Sequence, residues 1–158
     1  MLSRHKYIFF NLLILISQFG IIANVFSKSQ AEENLNIADS LYRSGKFQQS
    51  LIYVDKVLNA EEINDSIKTA SIFKFGEIHF YLSSFDTAEF FLTKSLELSK
   101  QFDLTQLEGL SALRLGNVYT RLGKMGEAKI FLFYSDSILN SIDDEKNIAA
   151  VNNSLAIL

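Results

Sequence analysis

Histidine and clustered carboxylates are the side chains of this sequence that could most readily carry catalytic chemistry. Histidine occurs only at His5 and His79. A general acid or base needs a second group that orients it or holds its proton, and no such partner is evident near His79. We therefore expect His79 to pack within the fold or at its rim rather than to act in catalysis.

The clustered carboxylates also have a structural explanation. They are Glu32-Glu33, Glu61-Glu62 and Asp143-Asp144-Glu145. All of them fall at predicted helix starts or in turns between helices, where acidic groups interact favourably with the positive end of the helix dipole. Helix capping accounts for these clusters without any catalytic role.

Residue types that are missing narrow the chemistry further. The 158 residues include no Cys, no Trp and no Pro. Without cysteine there are no disulfides, thiolate metal sites or thiol nucleophiles. Phosphate-binding glycine loops, nucleophile elbows and zinc-protease motifs are absent as well. The sequence thus predicts no catalytic residue, no metal ligand, no cofactor and no enzymatic activity.

The N-terminal segment 1–31 has the pattern of an export signal. Arg4, His5 and Lys6 precede the apolar segment 7–25, and the small residues Ser29 and Ala31 suggest cleavage after Ala31. Cleavage after residue 27 is a second possibility. The segment 7–25 could instead remain as an uncleaved membrane anchor, which would be the only contact with the membrane. Either interpretation predicts an exported protein, periplasmic or extracellular, or one anchored to the membrane.

The rest of the chain is acidic, because all 18 Asp and Glu residues follow residue 31, while Arg4, Lys6 and Lys28 precede it. Binding to nucleic acid normally requires a basic surface. We therefore expect no nucleic-acid partner.

A repeated pair of small residues organises this acidic part. The pairs are Ala38 and Ser50, Gly76 and Ala88, and Gly116 and Ala128. The separation within a pair is the same in all three, and the pairs recur along the chain with a period of 38 to 40. A small residue on each of two antiparallel helices, with a short polar turn between them, lets the helices approach closely.

Apolar residues recur at helical spacing around these small positions. The pattern predicts helices over about 31–44, 47–59, 65–82, 85–101, 104–122, 125–140 and 145–158. A single hairpin could not bury such apolar stripes, so the hairpins are expected to stack on one another.

The segment 115–128, which reads LGNVYTRLGKMGEA, resembles the signature of the tetratricopeptide repeat family. Segments 75–78 and 85–89 match it in the second unit, and 37–41 and 45–50 match it more weakly in the first. The resemblance covers about residues 33–142. Two features differ from the family pattern: the period is 38 to 40 instead of 34, and the proline that usually closes each repeat is missing.

The resemblance implies an all-α fold, in which antiparallel helix hairpins stack as a right-handed α-solenoid. Residues 1–31 would be the signal or anchor and residues 32–158 the repeat domain. Its repeats would cover about 32–60, 65–101 and 104–140, followed by a half repeat or capping helix at 145–158. The apolar end, residues 155–158, could dock on the preceding hairpin, continue into a longer architecture or be covered by another chain. We favour an incomplete array, in which this edge could also mediate self-association.

In the family the first helix of each repeat lines a concave binding groove. By that pattern the groove residues would be Asp39, Tyr42, Arg43, Phe73, Glu77, Phe80, Tyr81, Leu113, Asn117, Thr120 and Arg121. Asn117 and Arg121 also resemble the paired Asn and basic residues that some members use to hold a peptide carboxylate. The lysines that complete such a clamp are not matched.

These observations favour a non-catalytic protein-interaction module that binds a peptide or helix of a partner protein in its groove. The partner's identity does not follow from the sequence. The alternative, drawn from the resemblance, is the sensor or regulatory front of a membrane-associated signalling protein, of the histidine kinase or transcription regulator type.

Overall fold

The computed structural model describes residues 28–60 and 63–158. In these residues there is no strand, and the helices are α1 (28–43), α2 (Phe47–Leu58), α3 (Asp65–Tyr81), α4 (Phe85–Gln101), α5 (Thr105–Arg121), α6 (Met125–Asn140) and α7 (Glu145–Ile157). The all-α prediction is confirmed. Helices α2 to α7 begin and end within one residue of their predicted bounds, whereas α1 is already helical at residue 28.

The predicted leader lies almost entirely outside the described residues. Only its end, 28–31, is described, and it belongs to α1. Ala31, the predicted cleavage position, is only 2% exposed and packs with Val57 and Ile67. A cut after Ala31 would therefore remove a buried contact between α1 and the two following helices. Among the helices described, none is both long enough and apolar enough to cross a membrane.

The turns inside the three hairpins share one backbone geometry. Two residues after its last residue, each first helix is followed by a residue in the left-handed region: Gly45 and Gly123 have φ of 73° and Ser83 has φ of 60°. The next amide donates back to a carbonyl of the last helical turn, as from Lys124 to Tyr119 at 2.9 Å. This pattern is that of a Schellman cap, which terminates a helix and satisfies its last carbonyls. The sequence identified the two glycine turns but did not predict a left-handed serine.

The predicted small-residue pairs do bring paired helices close together. A Cβ atom added to Gly76 would lie 2.8 Å from Cγ of Leu92, and one added to Gly116 would lie 2.6 Å from Cγ of Leu132. In the first unit the Ser50 hydroxyl donates to the carbonyl of Ala38 at 2.7 Å. Larger side chains at these positions would force the helices of each pair apart.

The hairpins stack as an α-solenoid whose apolar core runs from one unit to the next. Successive helices pack on one another, and the first helices of consecutive units also touch, as α3 does with α5 and α5 with α7. No such contact joins α2 to α4 or α4 to α6 in the described part of the chain. The first helices α1, α3, α5 and α7 therefore line the concave surface, while the second helices α2, α4 and α6 form the convex surface.

Helix α7 docks on the third hairpin. Its Val151 is fully buried, and Ile148, Leu155 and Leu158 pack around it against a cluster that includes Leu132. The apolar end thus docks on the preceding hairpin, which is one of the three arrangements considered from the sequence.

Candidate binding surface

The eleven residues predicted to line the groove lie on α1, α3 and α5, the helices of the concave surface. Three of them are buried and not available to a partner: Phe73, Leu113 and Glu77, of which Glu77 is 4% exposed. Phe73 is 7% exposed and Leu113 is 1% exposed, because both pack into the apolar core between units. For these three residues the prediction is corrected: Phe73 and Leu113 hold the hairpins together through the core, and Glu77 does so through its ion pair with Arg114.

A chain of ion pairs crosses the concave surface from α1 to α5. Asp39 accepts from Arg43 at 2.7 Å and from Lys74 at 3.0 Å. Lys74 also donates to Glu77 Oε2 at 2.8 Å. The other Glu77 oxygen, Oε1, accepts from Nη2 and Nε of Arg114 at 2.6 and 2.8 Å. The chain thus connects the first helices of three consecutive units. We call Asp39, Lys74, Glu77 and Arg114 the ion chain.

Glu77 is the buried centre of this chain. Its side chain is 5% exposed, against 14% for Lys74 and 22% for Arg114. Burial alone would raise the pKa of Glu77, but the charges and hydrogen bonds of Arg114 and Lys74 outweigh burial, so that its pKa lies below the ordinary value. Burial alone would likewise lower the pKa of Arg114, yet the nearby Glu77 raises it. Both groups are thus held in their charged forms.

Aromatic rings lie at the α1–α3 end of the concave surface, beside the ion chain. The Tyr42 ring lies 5.5 Å from that of Tyr81, which stacks at 5.3 Å on Phe47, and the ammonium of Lys74 lies 4.2 Å from the Tyr42 centroid. Burial and the neighbouring Glu77 carboxylate raise the pKa of Tyr42 above its ordinary value, so its hydroxyl stays protonated. Tyr81 is 45% exposed and presents an apolar ring to solvent.

A groove of about 500 Å³ occupies the other end of the concave surface. Residues from α3, α5 and α7 line it, and they are Phe80, Asn117, Thr120, Arg121, Ser154 and Ile157. Four of them belong to the predicted set. The Thr120 hydroxyl is already engaged, because it donates to the carbonyl of Gly116 at 2.9 Å. Apolar walls from Phe80 and Ile157 thus stand beside the amide of Asn117 and the guanidinium of Arg121.

The arginines of the concave surface differ in what they contact. Arg43 and Arg114 are engaged by Asp39 and Glu77. Arg121 is exposed, and no carboxylate of the described residues lies within 4.0 Å of its guanidinium. Arg121 is therefore the arginine of this surface that remains free to pair with an incoming anion.

Sequence reasoning missed four residues of this surface: Lys74, Arg114, Ser154 and Ile157. Periodicity could have identified them. Lys74, Arg114 and Ser154 occupy one position of the repeat in consecutive units, as Glu77, Asn117 and Ile157 do. Each member of the second series follows its counterpart in the first by about one helical turn, so both series share a helix face.

His79 contacts apolar surroundings rather than a catalytic partner. Its ring lies 4.7 Å from that of Phe75, and its Nδ1 atom is buried without a hydrogen-bond partner in the described structure. Burial lowers the pKa of His79, although the Asp55 charge acts in the opposite direction. No group of three or more His, Asp or Glu side chains within residues 28–60 and 63–158 is placed to hold a metal ion.

Comparisons with known proteins identify the fold but not the family of this chain. No protein-family model matches the sequence, and no curated protein matches it. BtubC (BKLC) from P. vanneervenii is similar in structure, with a TM-score of 0.70 at 15% identity over 89% of this chain. This chain spans 59% of the BtubC chain.

The N-terminal domain of stress-induced protein-1 (STI-1) from C. elegans is also similar, with a TM-score of 0.59 at 15% identity. That match covers 80% of this chain and 97% of the STI-1 domain. Both similar structures are helical repeat folds, in agreement with the α-solenoid described above. Membership of the tetratricopeptide repeat family stays a prediction.

Proposed function

We propose that this protein is a non-catalytic interaction module that binds an extended or helical segment of a partner protein along its concave surface. The observation that supports this most directly is the groove of about 500 Å³ at the α5–α7 end. It combines apolar walls with an exposed guanidinium, and helical repeats commonly offer such concave surfaces to peptides.

The charges of the surface suggest what the partner segment carries. At the α1–α3 end the cations Lys74 and Arg114 are already paired within the ion chain. An incoming acidic group would therefore have to displace Asp39 or Glu77. At the α5–α7 end Arg121 is free, and Asn117 lies one turn away on the same helix face. We propose that the partner places a carboxylate, from an acidic side chain or a chain end, against Arg121. Apolar side chains of the same segment would contact Ile157 and Tyr81.

Selection of binding peptides from a random library, with the full-length chain as bait, tests this function. Peptides that bind should carry a carboxylate next to apolar residues. A hydrogen bond to a charged group contributes about 1.5–3 kcal/mol, so Arg121→Ala should weaken binding of such peptides at least about tenfold. The double variant Tyr81→Ala, Arg121→Ala should abolish it. Lys129→Ala, on the exposed outer side of α6, is the matched control and should bind normally.

The result that would overturn the groove assignment is equal binding of the selected peptides by the wild type and the double variant. Circular dichroism of each variant should show unchanged helicity, because Tyr81 and Arg121 are exposed. A library that yields no binding peptide would argue against a peptide-binding function altogether.

We further propose that the leader directs export or membrane anchoring. If the leader is cleaved, we propose that the cut lies before residue 28. Ala31 supports this position, since it is buried against Val57 and Ile67. Mass spectrometry of the protein from an envelope fraction should find an intact chain or a cut after residue 27. A mature chain that begins at Glu32 would contradict the proposal.

A further inference from the structure

The hairpin turns form one edge of the solenoid, because each of the three hairpins has its turn there, between its first and its second helix. Two recesses of about 390 Å³ each open on this edge. The lining of the first recess, between the first and second units, includes Phe47 and Leu82. The lining of the second recess, between the second and third units, includes Phe85 and Leu122.

The two recesses have the same construction. Residues 45–49 line the first recess and residues 83–87 line the second, and these are the same positions of consecutive units. In each recess the phenylalanine and the leucine are half-buried and pack on the apolar core behind them. Each recess therefore has an apolar floor that the core holds in place.

The packing of the units sets the distance between the recesses. Leu82 and Leu122 directly follow the last residues of α3 and α5, and these two helices contact each other. Helices in contact lie about 8–10 Å apart, so the two recesses are separated by a similar distance. Seven residues of an α-helix rise about 10.5 Å, and side chains at this spacing project from the same face. A helix that lies along the edge therefore reaches both recesses.

An extended segment matches this distance less well. Three residues of a strand also rise about 10 Å, but side chains three residues apart point to opposite faces. Side chains two or four residues apart share a face, yet they are separated by about 7 or 13 Å. The spacing of the recesses therefore favours a helix over a strand.

The residues of the turns and recesses carry charges of alternating sign. Lys46 lies at the first turn, Asp86 lines the second recess and Lys124 lies at the third turn. All three side chains are exposed, and none forms an ion pair among the described residues. The Lys124 ammonium lies 5.4 Å from the centroid of the Tyr119 ring, which does not neutralise its charge. A segment that pairs with all three must carry an acid, a base and an acid in that order.

We propose that an amphipathic helix of a partner protein docks along this edge. Two of its large apolar side chains, about seven residues apart, enter the two recesses. On the same face an acid, a base and a second acid, again about seven residues apart, pair with Lys46, Asp86 and Lys124. The recesses share no lining residue with the groove of the concave surface, so this is a second interaction site.

The same features argue against a lipid surface as the occupant of this edge. An anionic membrane would attract Lys46 and Lys124 but would repel Asp86, which belongs to the unit between them. A flat bilayer surface would also leave both recesses unfilled. A helix of the stated pattern fills the recesses and pairs with all three charges.

Synthetic peptides with this pattern test the proposal on the full-length chain. The matching peptide is an Ala-rich helix of about 18 residues with Glu, Leu, Lys, Leu and Glu in order along one face, at heptad spacing. The charge-swapped peptide exchanges Glu and Lys and keeps both leucines. In fluorescence anisotropy titrations the matching peptide should bind at least about tenfold more tightly than the charge-swapped one.

Variants of the chain should reverse this preference. The triple variant Lys46→Glu, Asp86→Lys, Lys124→Glu should bind the charge-swapped peptide about tenfold more tightly than the matching one. Lys68→Glu, exposed on α3 and outside the recesses, is the matched control and should keep the wild-type preference. Repeating the titrations with Arg121→Ala removes the free guanidinium of the groove, so that the remaining preference reports on the edge alone.

Several outcomes would overturn this site. They are no binding of the matching peptide, equal affinities for the two peptides, or undiminished binding after both leucines are replaced by Ala. A preference that is lost in Arg121→Ala but unchanged in the triple variant would assign the peptide to the groove instead. Binding of the wild type to vesicles of an anionic phospholipid, lost in the double variant Lys46→Glu, Lys124→Glu and without any peptide binding, would assign the edge to a membrane.

Discussion

Substitution of Glu77 by Gln should reveal how much the ion chain contributes to stability. Glutamine keeps the size of the side chain but removes its charge. The amide oxygen of Gln can accept from one cation, whereas its NH₂ group would face the other, so Lys74 or Arg114 loses its partner. Both cations pair with Glu77 at 2.6 to 2.8 Å in the described structure.

The magnitude depends on how far the abandoned cations can regain water. Breaking a fully buried ion pair costs about 3–5 kcal/mol. Glu77 itself is 5% exposed, but Lys74 is 14% and Arg114 22% exposed, which allows some rehydration. We therefore expect Glu77→Gln to lower the free energy of unfolding by about 3 kcal/mol at about pH 7, the lower end of that range.

The pKa of Glu77 determines how the stability difference between wild type and Glu77→Gln changes with pH. The pKa of Glu77 in the folded protein lies below its ordinary value of 4.5. Its carboxylate therefore stabilises the fold fully above pH 4.5, and this contribution is lost as the pH falls through the folded-state pKa. The difference in stability between wild type and Glu77→Gln should be constant above pH 4.5 and should shrink below it, because the wild type then becomes neutral at Glu77 as well.

Urea unfolding followed by circular dichroism, repeated at several pH values, measures this difference. Glu97→Gln on α4 is the matched control, since Glu97 is exposed and forms no ion pair among the described residues. It should change stability by less than about 0.5 kcal/mol. A cost below about 1 kcal/mol for Glu77→Gln, within the range of exposed ion pairs, would refute the reasoning. So would a cost that persists unchanged at acidic pH.

Two further substitutions test the packing and the caps. Gly116→Ala should destabilise the protein by about 1–3 kcal/mol in the same assay, because its Cβ would lie 2.6 Å from Cγ of Leu132. Gly126→Ala on α6, where a Cβ meets nothing within 4 Å, should instead be neutral or stabilising by up to about 1 kcal/mol, and equal effects of both would contradict the close-packing argument. Asn64→Ala should cost about 1 kcal/mol, because the Asn64 side chain accepts from the Ile67 amide at 2.7 Å and caps α3. Asn64→Asp should retain most of the stability, and a loss as large as that of Asn64→Ala would argue against capping.

The helices and their pairing could be predicted because they depend on local patterns. Apolar spacing identifies helical faces, and the evenly separated small residues identify which helices approach closely. The turns were only partly predictable. Gly45 and Gly123 indicate a left-handed residue by their type, whereas Ser83, Asp103 and Asp143 adopt positive φ without being glycine.

The site was less predictable than the fold because its properties depend on distances between units. Arg43, Arg114 and Arg121 are chemically identical in the sequence, and periodicity places all of them on first helices. Whether each is free depends on which acid lies near it: Asp39 of the same helix engages Arg43, whereas Glu77 of the preceding unit engages Arg114. Asp39 and Glu77 occupy one position of the repeat, and the third unit has Asn117 there. This change from acid to amide leaves Arg121 without a carboxylate.

The residues at this position of the repeat, Asp39, Glu77 and Asn117, connect stability with the proposed function. The acids of the first two units hold the ion chain together across α1, α3 and α5, and Asn117 ends it. An acid at position 117 would lie one turn from Arg121 and could engage it, as Asp39 engages Arg43 one turn away. Asn117→Asp should therefore lower the affinity for acidic peptides while leaving the fold intact. Peptide titrations of this variant against Asn117→Ala distinguish competition for Arg121 from simple loss of the amide, and equal affinities would contradict the competition.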